Sequence, residues 1–207
     1  GARLWPAPCA LAHKPGHIGG SGGATFADAL HIEDADVSQV AYRRLTDDAP
    51  QLWLKVHGHA GKSLFLQLGV PQLPRLDGYR PALALIGPGL PQAALPFETP
   101  PGLGALVLET GEAVGFHEPF SDTDSWILLE ARTTLAADGD HYVVAFHPQG
   151  EPGKLWIALG EREAFGAQDL AALPGWLAEV RRFHEVGGQA PWLLVLGGAL
   201  AAVAGLG

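Results

Sequence analysis

Between Asp36 and Gly160 apolar residues recur at every second position, in short runs divided by turn residues, and this alternation constrains the fold more than any other feature. Leu52, Leu54 and Val56 fall on one face of an extended run, and Trp53, Lys55 and His57 on the other. Leu64, Leu66 and Leu68 alternate with Phe65, Gln67 and Gly69. Tyr142, Val144 and Phe146 oppose Val143 and Ala145, while Leu155, Ile157 and Leu159 oppose Trp156 and Ala158. Period two is the pattern of a strand that turns one face to a core. Ala60-Gly61-Lys62, Gly87-Pro88-Gly89, Ala137-Asp138-Gly139 and Gln149-Gly150-Glu151-Pro152 supply the turns.

The strands expected are Val37–Leu45, Gln51–His57, Ser63–Val70, Ala82–Ile86, Gly104–Leu108, Ser125–Ala131, His141–His147 and Lys154–Leu159. About eight short strands with no helical period between them predict an all-β domain, an antiparallel β-sandwich of jelly-roll type over residues 36–165. The 28 glycines and 17 prolines among 207 residues suit such a loop-rich domain better than a helical bundle.

After the strands the period changes. Leu170, Leu173, Leu177, Val180 and Phe183 recur every three or four residues, so residues 167–185 read as a juxtamembrane amphipathic helix. Pro174 and Gly175 interrupt it, and proline is tolerated in a first turn, which predicts a start at Leu173 or Pro174. From Pro191 to Gly207 no charged residue occurs. Seventeen residues of helix span about 25 Å against a bilayer core of about 30 Å. Residues 190–207 therefore read as a C-terminal transmembrane anchor, truncated at Gly207, with a buried core helix as the alternative. Trp192 suits an interface, and Gly197 and Gly198, with Ala199, Ala201, Ala202 and Ala204, offer a small-residue face to a membrane partner.

Residues 1–12 end in Ala10-Leu11-Ala12, the small-x-small form of a signal-peptidase site, and read either as a signal-peptide remnant or as an irregular terminus. Residues 13–35, with Gly16-His17-Ile18-Gly19-Gly20-Ser21-Gly22-Gly23, read as a flexible segment. Cys9 is the only cysteine, which rules out an intrachain disulfide and cysteine-rich zinc sites. A signal and an anchor together predict a single-pass membrane protein with its main domain outside the cytoplasm. Thirteen basic against 22 acidic side chains give a formal charge of −9, which speaks against nucleic acid and against a polybasic membrane surface.

Several strands carry a family pattern. Leu52-Trp53-Leu54-Lys55-Val56 with Ala60-Gly61-Lys62-Ser63-Leu64, then Pro81 to Gly89, Asp138 to Phe146 and Gly153 to Leu159, resemble successive strands and turns of bacterial pre-peptidase C-terminal domains. The resemblance covers residues 37–160. It implies a jelly-roll-like sandwich serving as an accessory or binding module in secreted and surface proteins, some relatives binding calcium or polymeric substrates. A Pro-rich insert from Leu90 to Gly102 departs from the pattern, and the acidic residues of calcium-binding relatives have no clear counterpart here.

Nine histidines include His57-Gly58-His59, whose imidazoles would lie about 6.5–7 Å apart on one side of a strand, a spacing that suits copper or zinc. Cleavage after Ala12 would make His13 the N-terminus, where an α-amine and its own imidazole chelate copper and a third imidazole completes a brace. The metal candidates are thus His13, His57 and His59; a solvated pair at a strand end is the other reading. Glu33-Asp34-Ala35-Asp36 and Asp122-Thr123-Asp124 lack the spacing of a calcium loop and read as solvated turns. Trp53 and Trp156 would stack on carbohydrate if exposed, and are core if packed beneath the helix. No nucleophile elbow, zinc-protease motif or reactive cysteine occurs. The expected function is a non-catalytic, membrane-anchored interaction or accessory module with a protein partner and no cofactor. A periplasmic copper protein is the alternative, and a hydrolase the third reading.

Overall fold

The computed structural model describes residues 14–18, 21–164 and 166–187. Their strands are β1 (Lys14–Ile18), β2 (Leu30–Ile32), β3 (Gln39–Leu45), β4 (Gln51–Gly58), β5 (Ser63–Pro71), β6 (Ala82–Gly87), β7 (Gly104–Leu108), β8 (Val114–Glu118), β9 (Thr123–Thr134), β10 (Gly139–Phe146) and β11 (Gly153–Leu159), followed by one α-helix, α1 (Ala167–Phe183). They form a six-stranded sheet in the order β1-β3-β11-β5-β9-β8 and a five-stranded sheet in the order β2-β4-β10-β6-β7. All pairs are antiparallel except β1 with β3 and β2 with β4. The mostly-β, two-sheet architecture agrees with the alternation in the sequence.

The inward faces are the ones the alternation picks out. Leu52, Leu54, Val56, Leu83, Leu85, Val143 and Ala145 of the five-stranded sheet meet Leu64, Leu66, Leu68, Leu155, Ile157 and Leu159 of the six-stranded one. Outer faces are covered as well, which explains why β10 and β11 are apolar on both sides. Trp53, Ala84, Val144 and Phe146 pack beneath Phe97 and Leu95 of the Pro-rich insert, Leu103 just after it, and Phe26. On the other sheet, Val40, Trp156 and Ala158 form a second outer cluster beside Tyr42, whose ring meets Phe183 of α1 at 5.2 Å.

Gly69 and Gly87 make room for rings. Trp156 lies opposite Gly69 across β11 and β5, and a Cβ on Gly69 would stand 2.1 Å from the indole. His141 lies over Gly87 in the same way, at 2.2 Å. Neither position accepts a side chain while the ring stays put.

Four expectations need correction or lie elsewhere. Eleven strands occur among the described residues rather than about eight, because residues 13–35 contribute β1 and β2 and the stretch before Thr123 contributes β8. These three run at sheet edges, where neither length nor alternation is required. The helix does not start at Leu173 or Pro174 but runs through both. Pro174 and Gly175 face solvent, so the proline withdraws one intrahelical bond on the wet side while Leu177 and Val180 are buried on the other. Tertiary packing outweighs the local penalty. Finally, no helix among the described residues is long and apolar enough to cross a membrane. The anchor of residues 190–207 and the signal remnant of residues 1–12 lie outside the described residues.

Candidate functional site

The His-x-His motif sits where β4 ends. In the register of β4 with β10, His57 stands opposite Asp140 and Gly58 opposite Gly139, so an Asp-x-Asp pair on one strand meets a His-x-His pair on the other. His57 Nδ1 is 2.9 Å from Asp140 Oδ1, and Lys55 Nζ is 2.6 Å from Asp140 Oδ2. His59 Nδ1 lies 3.5 Å from Asp138 Oδ1, which also accepts the Ala60 backbone N–H at 2.8 Å. The Lys55 ammonium, then His57, hold the Asp140 carboxyl below its ordinary range. The Ala60 amide, then His59, do the same for Asp138.

The two imidazoles lie edge to face with centroids 5.8 Å apart, and their side chains are 60% and 76% exposed. Each ring therefore turns Nδ1 to a carboxylate and leaves Nε2 without a protein partner in that pairing, the arrangement in which a carboxylate orients a metal-binding histidine. Among the described residues no three histidine, cysteine or acidic side chains converge as a metal cage. His13 lies outside the described residues. Asp138 and Asp140 are the members that sequence reasoning passed over; their signal is the two-residue spacing shared with His57 and His59 across one turn-linked register.

A second polar cluster fastens α1 to the six-stranded sheet. Trp156 Nε1–H donates to Ser125 Oγ at 3.1 Å, Ser125 donates to His184 Nε2 at 3.0 Å, and His184 Nδ1–H donates to the Val180 carbonyl at 2.8 Å. Each hydrogen in this chain has one direction only. His184 is 5% exposed, and burial pushes its pKa down to about 4. Ser125 and His184 are a serine–histidine pair in composition, yet the imidazole is oriented by a backbone carbonyl, and the nearby Asp124 carboxylate is engaged by His117 at 2.9 Å. Ser125 is itself buried. The pair suits helix attachment and offers a substrate no approach.

Buried Arg181 adds to this attachment: Nη1 donates to the Ser121 carbonyl at 2.7 Å and to the Asp122 carbonyl at 3.2 Å, and Nη2 to the Gly187 carbonyl at 2.8 Å. Lys154 Nζ reaches the Phe183 carbonyl at 2.5 Å and Glu185 Oε1 at 2.7 Å, while Arg75 pairs with the same carboxylate. Arg75 first, then Lys154, draw the Glu185 pKa down to about 2.

The acidic turns are likewise paired with cations. Asp34 accepts from Arg162 at 2.6 Å, Asp36 faces Lys62 at 3.1 Å and Asp122 faces Arg181 at 3.3 Å. Trp53 and Trp156 are both buried, in line with the core reading; Trp156 is linked through Ser125 to α1, and Trp53 lies beneath the insert rather than the helix. No protein-family model matches the chain, and no curated protein matches it.

Proposed function

We propose that the chain is a non-catalytic interaction module of bacterial origin, a pre-peptidase C-terminal-like jelly roll held to the inner membrane by residues 190–207 with its sandwich in the periplasm. One observation carries the reading: the lock at the end of α1. Arg181, His184 and Glu185 bind the last turn to β9, β11 and the Asp122 turn, so the backbone leaves the sandwich at Gly187 in a fixed direction. The apolar run begins four residues later, at Pro191.

The surface this reading selects is β8. It ends its sheet, pairing with β9 alone, and carries Val114 at 62% exposure at its start, with exposed Phe120 just past its other end. The corresponding edge of the other sheet is capped, because the Ala105 N–H donates to the Pro91 carbonyl of the insert. Glu112 precedes β8 and Glu118 ends it, on a chain of net charge −9. The partner is therefore an extended protein segment with apolar and basic residues, adding a strand to β8.

Alkaline carbonate washing of membranes tests the tether. The intact chain stays with the lipid, and Leu196→Arg/Leu200→Arg releases it; extraction of the intact chain ends the reading. A photo-reactive amino acid at Phe120 tests the edge. One adduct is expected that disappears with Val114→Lys and in high salt, with none from the same probe at Gln149. Equal adducts at both positions would remove β8 from the proposal.

A second reading has its own observation. His57 and His59 are each oriented by a carboxylate with Nε2 directed elsewhere, which favours a copper site completed by His13. Equilibrium dialysis against Cu²⁺, on protein with a sequenced N-terminus, shows stoichiometric uptake lost in His57→Ala/His59→Ala. No uptake at micromolar copper rejects it.

A further inference from the structure

The end of the sandwich that carries His57 and His59 lies opposite the α1 lock. Strand β9 starts beside the Asp122 turn that Arg181 holds, and it ends at Thr134 next to Ser63 of β5. The Gly61 N–H donates to the Leu135 carbonyl at 2.9 Å, so the β4–β5 turn and the β9–β10 turn meet at this end. The 12 residues of β9 span roughly 35 Å, which keeps the histidine pair clear of the chain leaving at Gly187.

The pair offers two metal ligands and no more. An ionised carboxylate only accepts, so Asp140 at 2.9 Å and Asp138 at 3.5 Å favour the proton of each ring on Nδ1. Each Nε2 then presents a lone pair, and neither has a partner among the described residues. Two imidazoles on one tetrahedral ion, at about 2.0–2.1 Å from nitrogen to metal, have centroids roughly 5 Å apart. These stand 5.8 Å apart, with side chains exposed enough to close the difference. Asp138 and Asp140 are engaged by the Nδ1 atoms, by Lys55 and by the Ala60 amide. No third histidine, cysteine or acidic side chain converges among the described residues. Zinc ordinarily takes four ligands, so two more come from outside.

Shape, charge and symmetry narrow their source. Besides the two histidines and two aspartates, residues 57–61 and 136–140 hold only glycine and alanine. The imidazoles are therefore the longest groups on these turns, and a Cβ on Gly61 would meet nothing within 4 Å. A second surface of the same shape can come as close as the rings reach. Asp138 and Asp140 against Lys55 leave one negative charge on each copy, two for a pair, which one divalent ion balances. Two copies related by a two-fold axis through the ion bring identical pairs and close the shell. Zinc suits this geometry because it imposes no plane on four nitrogen ligands.

We propose that a zinc ion joins two copies of this chain end to end, held by Nε2 of His57 and His59 from each copy. The inference rests on the reading of this pair as a metal site, and it takes the completing ligands from a second copy in place of His13.

Native mass spectrometry of the full chain, released from detergent micelles, tests it with zinc chloride as the probe. Half an equivalent of zinc should convert the monomer into a species of two chains and one ion, and EDTA should reverse the change. His57→Ala and His59→Ala, both exposed changes that leave the fold intact, should each abolish the zinc-bound dimer, while His13→Ala should keep it. In long-range ¹H–¹⁵N spectra zinc should move Nε2 of both rings and leave Nδ1 protonated. One ion per chain without a change of mass would overturn the inference and leave the metal reading standing. Loss of uptake in His13→Ala would do the same, by assigning the third ligand to the N-terminus. A dimer present without zinc and indifferent to EDTA and to both variants would place the contact elsewhere and overturn it as well. No uptake at micromolar zinc would end the inference together with the reading beneath it.

Discussion

Glu185 occupies a left-handed backbone conformation, φ 61°, at the point where its carboxylate meets the nearly buried Lys154 ammonium at 2.7 Å. The turn is a Schellman motif, with Val186 N–H on the Arg181 carbonyl at 2.9 Å and Glu185 N–H on the Arg182 carbonyl at 3.1 Å. Glycine is the usual residue there, so glutamate is retained against a backbone cost of about 1 kcal/mol. Its compensation lies in the pairs with Lys154 and Arg75. Glu185→Ala should therefore destabilise more than Glu185→Gly, by about 1 kcal/mol, since alanine keeps the strain and loses the pairs. Urea midpoints of the two variants check the order; equal midpoints would mean the backbone conformation costs nothing.

Attachment of α1 should weaken in acid. His184 is neutral in the folded protein, with a pKa near 4 against an ordinary 6.5. A depressed histidine favours the folded state above 6.5, and that contribution is lost as pH falls from 6.5 to 4. The full shift corresponds to about 3 kcal/mol. Protonation also ends the acceptance of the Ser125 hydroxyl, which sits 3.0 Å away. Lys154 opposes the proton and Asp124 favours it, both less than burial does. Glu185 adds its own loss only lower, as pH falls from 4.5 towards 2. Stability against pH should drop between 6.5 and 4 in the native chain and drop less steeply in His184→Gln, where His141 and His147, also lowered by burial, still titrate. An unchanged slope in the variant would show that another group titrates.

Much of this was legible in local pattern, and the reasons for the rest are physical. The inward faces of β4, β5 and β11 follow from Leu52 to Val56, Leu64 to Leu68 and Leu155 to Leu159, because a half-buried strand must alternate. Edge strand β8, Val114-Gly115-Phe116-His117-Glu118, is exempt from that demand and carries no such signal. Pro174 misleads because its penalty is local while the burial of Leu177 and Val180 comes from the sheet. Asp138 and Asp140 join His57 and His59 only through register, which no short motif encodes. Trp53 reads as a candidate for carbohydrate by exposure, but it is buried by an insert more than forty residues further along the chain.

The Gly69–Trp156 contact should behave as a coupled pair. Gly69→Ala places a methyl 2.1 Å from the indole and forces the ring or the strand to move, at a cost of roughly 1–3 kcal/mol. Trp156→Leu frees the space but removes the donor to Ser125 and a large buried surface. In the double variant the methyl meets no ring, so the two costs should fall short of their sum by 1 kcal/mol or more, roughly, as expected for residues in contact. A double-mutant cycle by chemical denaturation measures this. Additive costs would show that the glycine serves the register shift between Leu68 and Gly69, where β5 meets β9, and not the ring.

Arg181 is the most consequential side chain of the α1 lock, because it holds three carbonyls of two separate segments. Ser121 and Asp122 belong to the turn before β9, where Asp122 is itself left-handed at φ 52°, and Gly187 belongs to the chain leaving the helix. A lysine keeps the charge but cannot span these directions with one ammonium. Arg181→Lys should therefore cost roughly 3 kcal/mol, in the range for a broken buried charged contact. Its effect should be local: amide exchange in residues 183–187 and 120–123 accelerates by two orders of magnitude or so, while Leu54, Leu66 and Ile157 in the inter-sheet core keep the rates of global opening. Acceleration spread evenly through the sandwich would mean that α1 and the sheets open as one unit, and that the direction in which the chain leaves at Gly187 is set by the whole fold and not by this guanidinium.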